Sequence, residues 1–310
     1  MDWYFEREIF IHTQIRQVLT KNGIVPIHFQ SIGTGKIELK YRVETMEEAY
    51  FVKLSRYGRF TKELVCDLEQ AQAATGAVSL PCITQNVLAI HRQVNVYPWI
   101  QGEDLRAVIR KSSEGACLEL GVFCGHTLRQ IHRATSRPAS EASVISKLAD
   151  DCIQILNTQG GLLVCIKKYL SLLWDWPSAL NSARPYALVH MDYKPKNIIQ
   201  SHGKQIVVDW DSCVIADPWL DFFDKGLALV PQRQAFSAGV IYGYFNGKTP
   251  PSFWPYLKTL SVLALLQSAK WAIQRKDMDY IRLLERHLWN SYRGFSCDVP
   301  IWYARINNEI

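Results

Sequence analysis

Leu188-Val-His-Met-Asp-Tyr-Lys-Pro-Lys-Asn197, followed after a short hairpin by Ile206-Val-Val-Asp-Trp-Asp211, decides the reading of this 310-residue chain. The first run sets an acid, Asp192, five residues before an amide, Asn197. The second ends an apolar, β-branched stretch on another acid, Asp209. Phosphoryl transfer from a nucleotide needs such groups: one to orient a hydroxyl nucleophile and two oxygen ligands for magnesium. A histidine two places ahead of an acid is weak evidence alone, whereas the two runs at this separation are specific.

Composition sets the bounds around this core. With 48% hydrophobic and 21% charged residues the chain is of the folding kind, long enough for one large domain or two lobes. The net charge of +6 comes without a run of like charges or a basic-aromatic stacking motif, so nucleic acid is not an expected partner. Eight scattered cysteines form no CxxC and no zinc spacing. The opening Met1-Asp-Trp-Tyr-Phe-Glu-Arg-Glu8 carries acids where a signal peptide carries a basic and then an apolar stretch. No uncharged apolar run is long enough to span a bilayer, so no membrane association is expected and the cytoplasm is the default compartment.

The pattern along the chain predicts an α+β lobe followed by a mainly helical one. A leading helix over 3–20 precedes a glycine turn, Ile32-Gly-Thr-Gly-Lys36, and strands Leu39–Val43 and Ala49–Lys53. A helix over 60–74 ends at Gly76, and two further strands surround 87–90 and 94–100. This order suggests an antiparallel sheet with a packed helix. Beyond Gly102, helical periodicity covers 117–133, 257–272 and 279–293, the last with Asp279 as its expected N-cap. The expected division is residues 1–98 and 99–310, at the connector Val96-Tyr-Pro-Trp-Ile-Gln-Gly102.

The order of glycine turn, Lys53, helical Glu63, connector, His190-x-Asp192-x4-Asn197 and Asp209 resembles the aminoglycoside phosphotransferase family, of the protein-kinase-like superfamily that includes choline kinases. Asp217-Pro-Trp-Leu-Asp221 and Gly243-Tyr-Phe extend the resemblance over nearly the whole chain. It implies a two-lobed kinase-like fold and transfer of the γ-phosphate of ATP or GTP to a small-molecule hydroxyl acceptor. By the same resemblance Asp192 orients the acceptor, Asn197 and Asp209 hold Mg²⁺, and Lys53 binds nucleotide phosphates with Glu63 or Glu69 as its partner, Glu63 preferred. Gly33 and Gly35 would cover the phosphates. The carbonyl of Pro98 and the N–H of Ile100 would meet adenine, and Lys194 would stabilise the transferred charge. His190 braces the loop, and the role of Asp211 stays open between the metal site and a turn cap.

The family usually has glycine where this chain has Met191, and often histidine where it has Lys194. A protein kinase would need a longer segment after Asp209 ending in an Ala-Pro-Glu-like element, which is not there. The alternative from another class is a catalytically silent, kinase-like nucleotide-binding protein; retention of Asp192, Asn197, Asp209 and Lys53 speaks against it. The acceptor and the oligomeric state are left open. Residues 232–310 hold five acids against ten Lys and Arg, a poor balance for a polycation. The same stretch carries Trp254, Trp271, Trp289 and Trp302, as core or as an aromatic wall for a choline-like cation.

Overall fold

Residues 2–32, 39–139, 184–275 and 277–307 are described by the computed structural model. They belong to two compact units, Met1–Glu103 with Ile199–Asp211, and Asp104–Ile198 with Ser212–Ile310. The first unit thus runs five residues past the expected boundary at 98 and takes back a later hairpin. The reason is a backbone pairing invisible locally: Val207 donates to the Ala77 carbonyl at 2.7 Å and accepts from the Ser79 N–H at 2.9 Å.

In the first unit, helix α1 (Asp2–Lys21) precedes β1 (His28–Ser31), β2 (Leu39–Glu44), β3 (Ala49–Arg56), helix α2 (Lys62–Thr75), β4 (Ile83–Val87) and β5 (Arg92–Pro98). The sheet is antiparallel throughout, in the order β1-β2-β3-β5-β4. Residues 88–90, expected as strand, instead close a 3₁₀ turn ending at His91, whose φ of 47° breaks the extended run.

Strand alternation gives this sheet two characters. Val52 and Leu54 of β3, with Tyr41, Val43, Val94 and Val96, join Ile11, Ile15, Val18 and Leu19 of α1 in one buried cluster. Each such fully buried aliphatic contributes about 1.5–3 kcal/mol relative to exposure. The intervening residues Lys53, Ser55, Gln93 and Asn95 are also buried but polar. Polar groups buried this deeply require partners, so that face is the place to look for chemistry.

Glu103–Asp104 (β6), Ile198–Ser201 (β8) and Lys204–Val207 (β9) form a three-stranded sheet. Gly102 just before it is a packing requirement, since a Cβ there would lie 2.2 Å from the Gln200 carbonyl oxygen.

The second unit contains α3 (Leu105–Lys111), α4 (Glu114–Ala134), β7 (Ala187–Val189), β10 (Val214–Ala216), α5 (Pro231–Phe245), α6 (Phe253–Arg275), α7 (Met278–Ser291) and α8 (Ile301–Asn307). Strand β7 pairs antiparallel with β10. Helix α7 is capped by Asp277, which accepts from the Tyr280 N–H at 3.1 Å, and not by the expected Asp279, which lies within the first turn. Among the four expected tryptophans, Trp302 is core and Trp254 packs on Tyr303 at 4.6 Å, while Trp289 is exposed. Among the described residues no helix is long and apolar enough to cross a membrane.

Helices α4 and α5 meet through glycines spaced four apart on each. A Cβ at Gly121 or Gly125 would lie 2.2 Å from the carbonyl oxygens of Phe236 and Val240, and one at Gly239 or Gly243 would lie 2.1 Å from those of Leu118 and Val122. Backbone cannot yield as a side chain can. Gly125→Ala should therefore destabilise the protein by about 1–3 kcal/mol in urea unfolding. Gly115→Ala, in the same helix with open space around it, should stay within about 0.5 kcal/mol of the parent.

Candidate active site

Two constellations stand out, one in each unit. In the first, Lys53 sits mid-strand on β3 and is 1% exposed. Its ammonium pairs with Asp209 Oδ1 and lies 3.2 Å from Asp211 Oδ2. Asp211 Oδ2 also accepts from the Ser55 hydroxyl at 2.6 Å, and Asn95 Nδ2 donates to that hydroxyl oxygen at 3.0 Å. Lys40, opposite Lys53 in the β2–β3 register, reaches Asp209 Oδ2 at 3.7 Å. Among the described residues, the polar sheet face thus sets two ammonium groups against two carboxylates. That balance lets a lysine be buried at all, because one partner alone would leave an uncompensated charge. Asp209 holds φ at 67°, which aspartate tolerates better than most side chains.

The expected partner of Lys53 is placed differently. Glu63 is exposed in the first turn of α2, with Oε2 3.4 Å from the hydroxyl of the N-cap Thr61, and Glu69 is exposed too. The acid that α2 turns inward is Asp67, buried with Leu68 and Ala71. Helical period shows why: Asp67 shares a face with Leu64, Leu68 and Ala71.

At the connector, Tyr50 faces Pro98 in the β3–β5 register and Trp99 N–H donates to Ala49 at 3.0 Å. Pro98 is exposed and Ile100 half-buried. Gly33 and Gly35 lie outside the described residues.

In the second unit, the chain leaves β7 into His190, which is fully buried. Asp221 fastens this bend: Oδ2 accepts from His190 N–H at 2.9 Å and Oδ1 from Met191 N–H at 2.8 Å. Oδ2 is also 3.0 Å from His132 Nε2, whose Nδ1 is 2.9 Å from the Tyr244 hydroxyl. Met191 holds φ at 64°, a left-handed conformation natural for glycine.

The bend delivers Asp192. Its N–H donates to His190 Nδ1 at 3.2 Å, so the histidine braces the loop. Lys194 Nζ lies 2.7 Å from Asp192 Oδ1 and Lys196 Nζ 2.9 Å from Oδ2. Asn197 Nδ2 donates to the Asp192 carbonyl and to Oδ2, both at 2.9 Å, which turns its amide oxygen the other way. Burial raises the Asp192 carboxyl, but Lys194 and then Lys196 outweigh it and hold the pKa at about 2. Burial likewise works against the Lys194 ammonium, yet Asp224 and Asp192 prevail and raise it. Acid and lysine both stay charged at neutral pH.

Below this loop the Tyr193 hydroxyl donates to Cys124 at 2.9 Å, and the buried Lys225 donates to the Tyr193 carbonyl and to Asp224 Oδ1, the latter at 2.9 Å. Lys196, Lys225, His132 and Asp67 were not expected as site residues. Only Lys196 left a local trace, four residues after Asp192.

Each unit offers an oxygen donor of the kind a hard cation takes. Asn197 offers an amide oxygen and Asp209 a carboxylate, and no group of three or more His, Cys, Asp or Glu gathers into a metal site among the described residues. Magnesium takes oxygen ligands of these kinds.

Replacing Asp221 by alanine leaves two buried N–H groups and an imidazole without their acceptor, at about 1–3 kcal/mol each. Asp221→Ala should lower the unfolding midpoint strongly, while Met191→Gly should fold with its midpoint unchanged or raised. Differential scanning calorimetry of both variants checks the pair.

The model of the phosphotransferase enzyme family (APH) matches residues 28–254. No curated protein matches the chain in sequence. Among solved structures, the chain is similar to the spectinomycin phosphotransferase APH(9)-Ia in complex with ADP and spectinomycin, at 15% identity and a TM-score of 0.58, covering 95% of this chain and 98% of that one. It is also similar to a thermostable form of the aminoglycoside phosphotransferase APH(4)-Ia in a ternary complex with ADP and hygromycin B, at 13% identity and a TM-score of 0.64, covering 91% and 98%. A gentamicin–APH(2")-IIa complex gives 15% identity and a TM-score of 0.58, covering 94% and 98%. At these identities the structures show a shared kinase-like fold. The family match spans most of the chain: this protein belongs to the phosphotransferase enzyme family.

Proposed function

We propose that the protein transfers the γ-phosphate of ATP, or of GTP, to a hydroxyl of a small molecule. One observation carries the reading: a carboxylate held ionised at about 2 by two lysines, beside an asparagine that donates to it, on a bend clamped by Asp221. Family membership supports it, and the solved structures of like fold hold ADP with an antibiotic.

Asp192 orients the acceptor hydroxyl. An aspartate carboxylate is too weak a base to strip an alcohol early; it accepts the hydrogen bond and takes the proton late, once the oxygen has begun to bond to phosphorus. Lys194 leaves Asp192 for the transferred phosphoryl group and offsets its charge. Lys53, paired in this structure with Asp209 and Asp211, binds the α- and β-phosphates. Gly33 and Gly35 cover the phosphates, and the Pro98 carbonyl and Ile100 N–H address the base. Asn197 and Asp209 supply oxygens to Mg²⁺, which when bound neutralises charge on the phosphate oxygens. Lysines crowd Asp192, and residues 232–310 carry twice as many Lys and Arg as acids, a balance that does not favour a polycationic acceptor.

The deciding assay is phosphate transfer with ATP or GTP and Mg²⁺ against aminoglycosides, macrolides, choline, ethanolamine, sugars and amino alcohols, with Asp192→Asn as blank. Turnover absent from the blank establishes the reaction and the acceptor class. Nucleotide binding without turnover on any acceptor favours the silent binding protein, and no nucleotide binding refutes both. Asp192→Ala should cut turnover by about 10²–10⁴ with nucleotide affinity little changed. Lys53→Ala should mainly weaken nucleotide binding.

A pH effect follows from the sign of the Asp192 shift. Its folded pKa lies below the ordinary carboxylate value, so the ion pairs stabilise fully above about pH 4 and fade as pH falls toward 2. The stability gap between the parent and Lys194→Ala/Lys196→Ala should narrow over that window in urea unfolding.

A further inference from the structure

A cavity of about 420 Å³ opens in the second unit, away from the catalytic loop along the chain. Pro185 and Ala187, at the start of β7, line it, whereas Asp192 follows the far end of that strand. Two walls are fixed. Arg184 is bonded to both carboxylate oxygens of Asp217, at 3.2 Å and 2.5 Å, and stacks on Trp219 at 3.6 Å. His132 and Tyr244 are locked by their bond at 2.9 Å and by Asp221.

The remaining charged groups have no counter-charge lining the cavity among the described residues. Arg129 and Arg133 on α4 and Lys248 beyond α5 also line the cavity, and no Asp or Glu does among the described residues. None of these three side chains has an ion-pair partner among the described residues. Arg129 and Arg133 are four apart on one helix, where like charges cost about 0.2–0.5 kcal/mol. The ends of α4 and α5 favour nearby cations through their dipoles, which accounts for a charge at each end. It does not account for three around one concavity with a fourth, Arg184, set into its wall.

We propose that this cavity binds a phosphorylated small molecule of about sugar size. Two guanidinium groups on one helix face suit a phosphate, whose oxygens accept paired N–H donors. The volume is that of a small-molecule site, about 300–1,000 Å³, and exceeds what a bare phosphate fills. The neutral part of the ligand lies against Tyr244 and Pro250. The site is independent of the phosphotransfer reading, since none of the residues assigned to that reaction lines it. It is nevertheless joined to the catalytic loop, because His132 in its wall shares Asp221 with the His190 and Met191 amides.

Isothermal titration of the full chain with ribose 5-phosphate, and with ribose as control, tests this. Expected are saturable binding of the ester but not of ribose, at least about tenfold weakening in Arg129→Gln/Arg133→Gln, and no change in Lys53→Ala. Lys248→Gln gives a single-site check should the double variant unfold, and should weaken binding as well. Absence of ester binding overturns the proposal, leaving the cations as complements to the helix ends. Equal binding of ribose overturns it too, as does ester binding that both arginine and lysine variants keep but Lys53→Ala loses.

Discussion

One carboxylate organises the second unit. Asp221 is 2% exposed, and it meets the His190 and Met191 amides and the His132 ring at once. The bend needs such a clamp, since a left-handed methionine costs about 1–2 kcal/mol that the chain would otherwise relieve by straightening. With the bend held, His190 accepts the Asp192 N–H, Asn197 donates back to Asp192, and the loop becomes a closed ring of hydrogen bonds. A loop geometry of this kind is bought with buried polar contacts, all of which must be satisfied together.

The first unit solves a different problem, that of burying an ammonium. Strand alternation sends Val52 and Leu54 to α1 and leaves Lys53 and Ser55 on the other face, where hydrocarbon would reject them. Asp209 and Asp211 compensate the charge, and Ser55 and Asn95 hold Asp211 in turn. Both constellations therefore carry their own counter-charges. A polyanionic ligand with its cation can exchange for internal ion pairs, so less is lost to exposing bare charge.

Features encoded by short-range spacing were legible before any coordinates. The Asp192–Asn197 interval, the glycine cap at Gly76 and the helix period of 117–133 each depend on neighbours within a few residues. What escaped depends on distant partners. Glu63 and Glu69 were the acids expected beside Lys53, whereas its partners Asp209 and Asp211 lie far along the chain. Asp221 was noticed within its motif, but its partners lie 30, 31 and 89 residues away. The place of residues 199–211 with the first unit follows from Val207 pairing with Ala77 and Ser79, a contact that no local pattern announces. The cap of α7 was missed by two residues, Asp277 and Asp279 both being fit for it.

The glycine contacts between α4 and α5 bear on how the protein opens. Backbones this close leave no room for water to enter between them unless the helices part as a pair. The amides along Leu118–Gly125 and Phe236–Gly243 should then exchange with deuterium only through the largest unfolding event, later than those of the exposed α7 surface. Tyr193 hangs the Asp192 loop on the Cys124 carbonyl inside that interval, so the loop is anchored to the part of the molecule expected to exchange slowest.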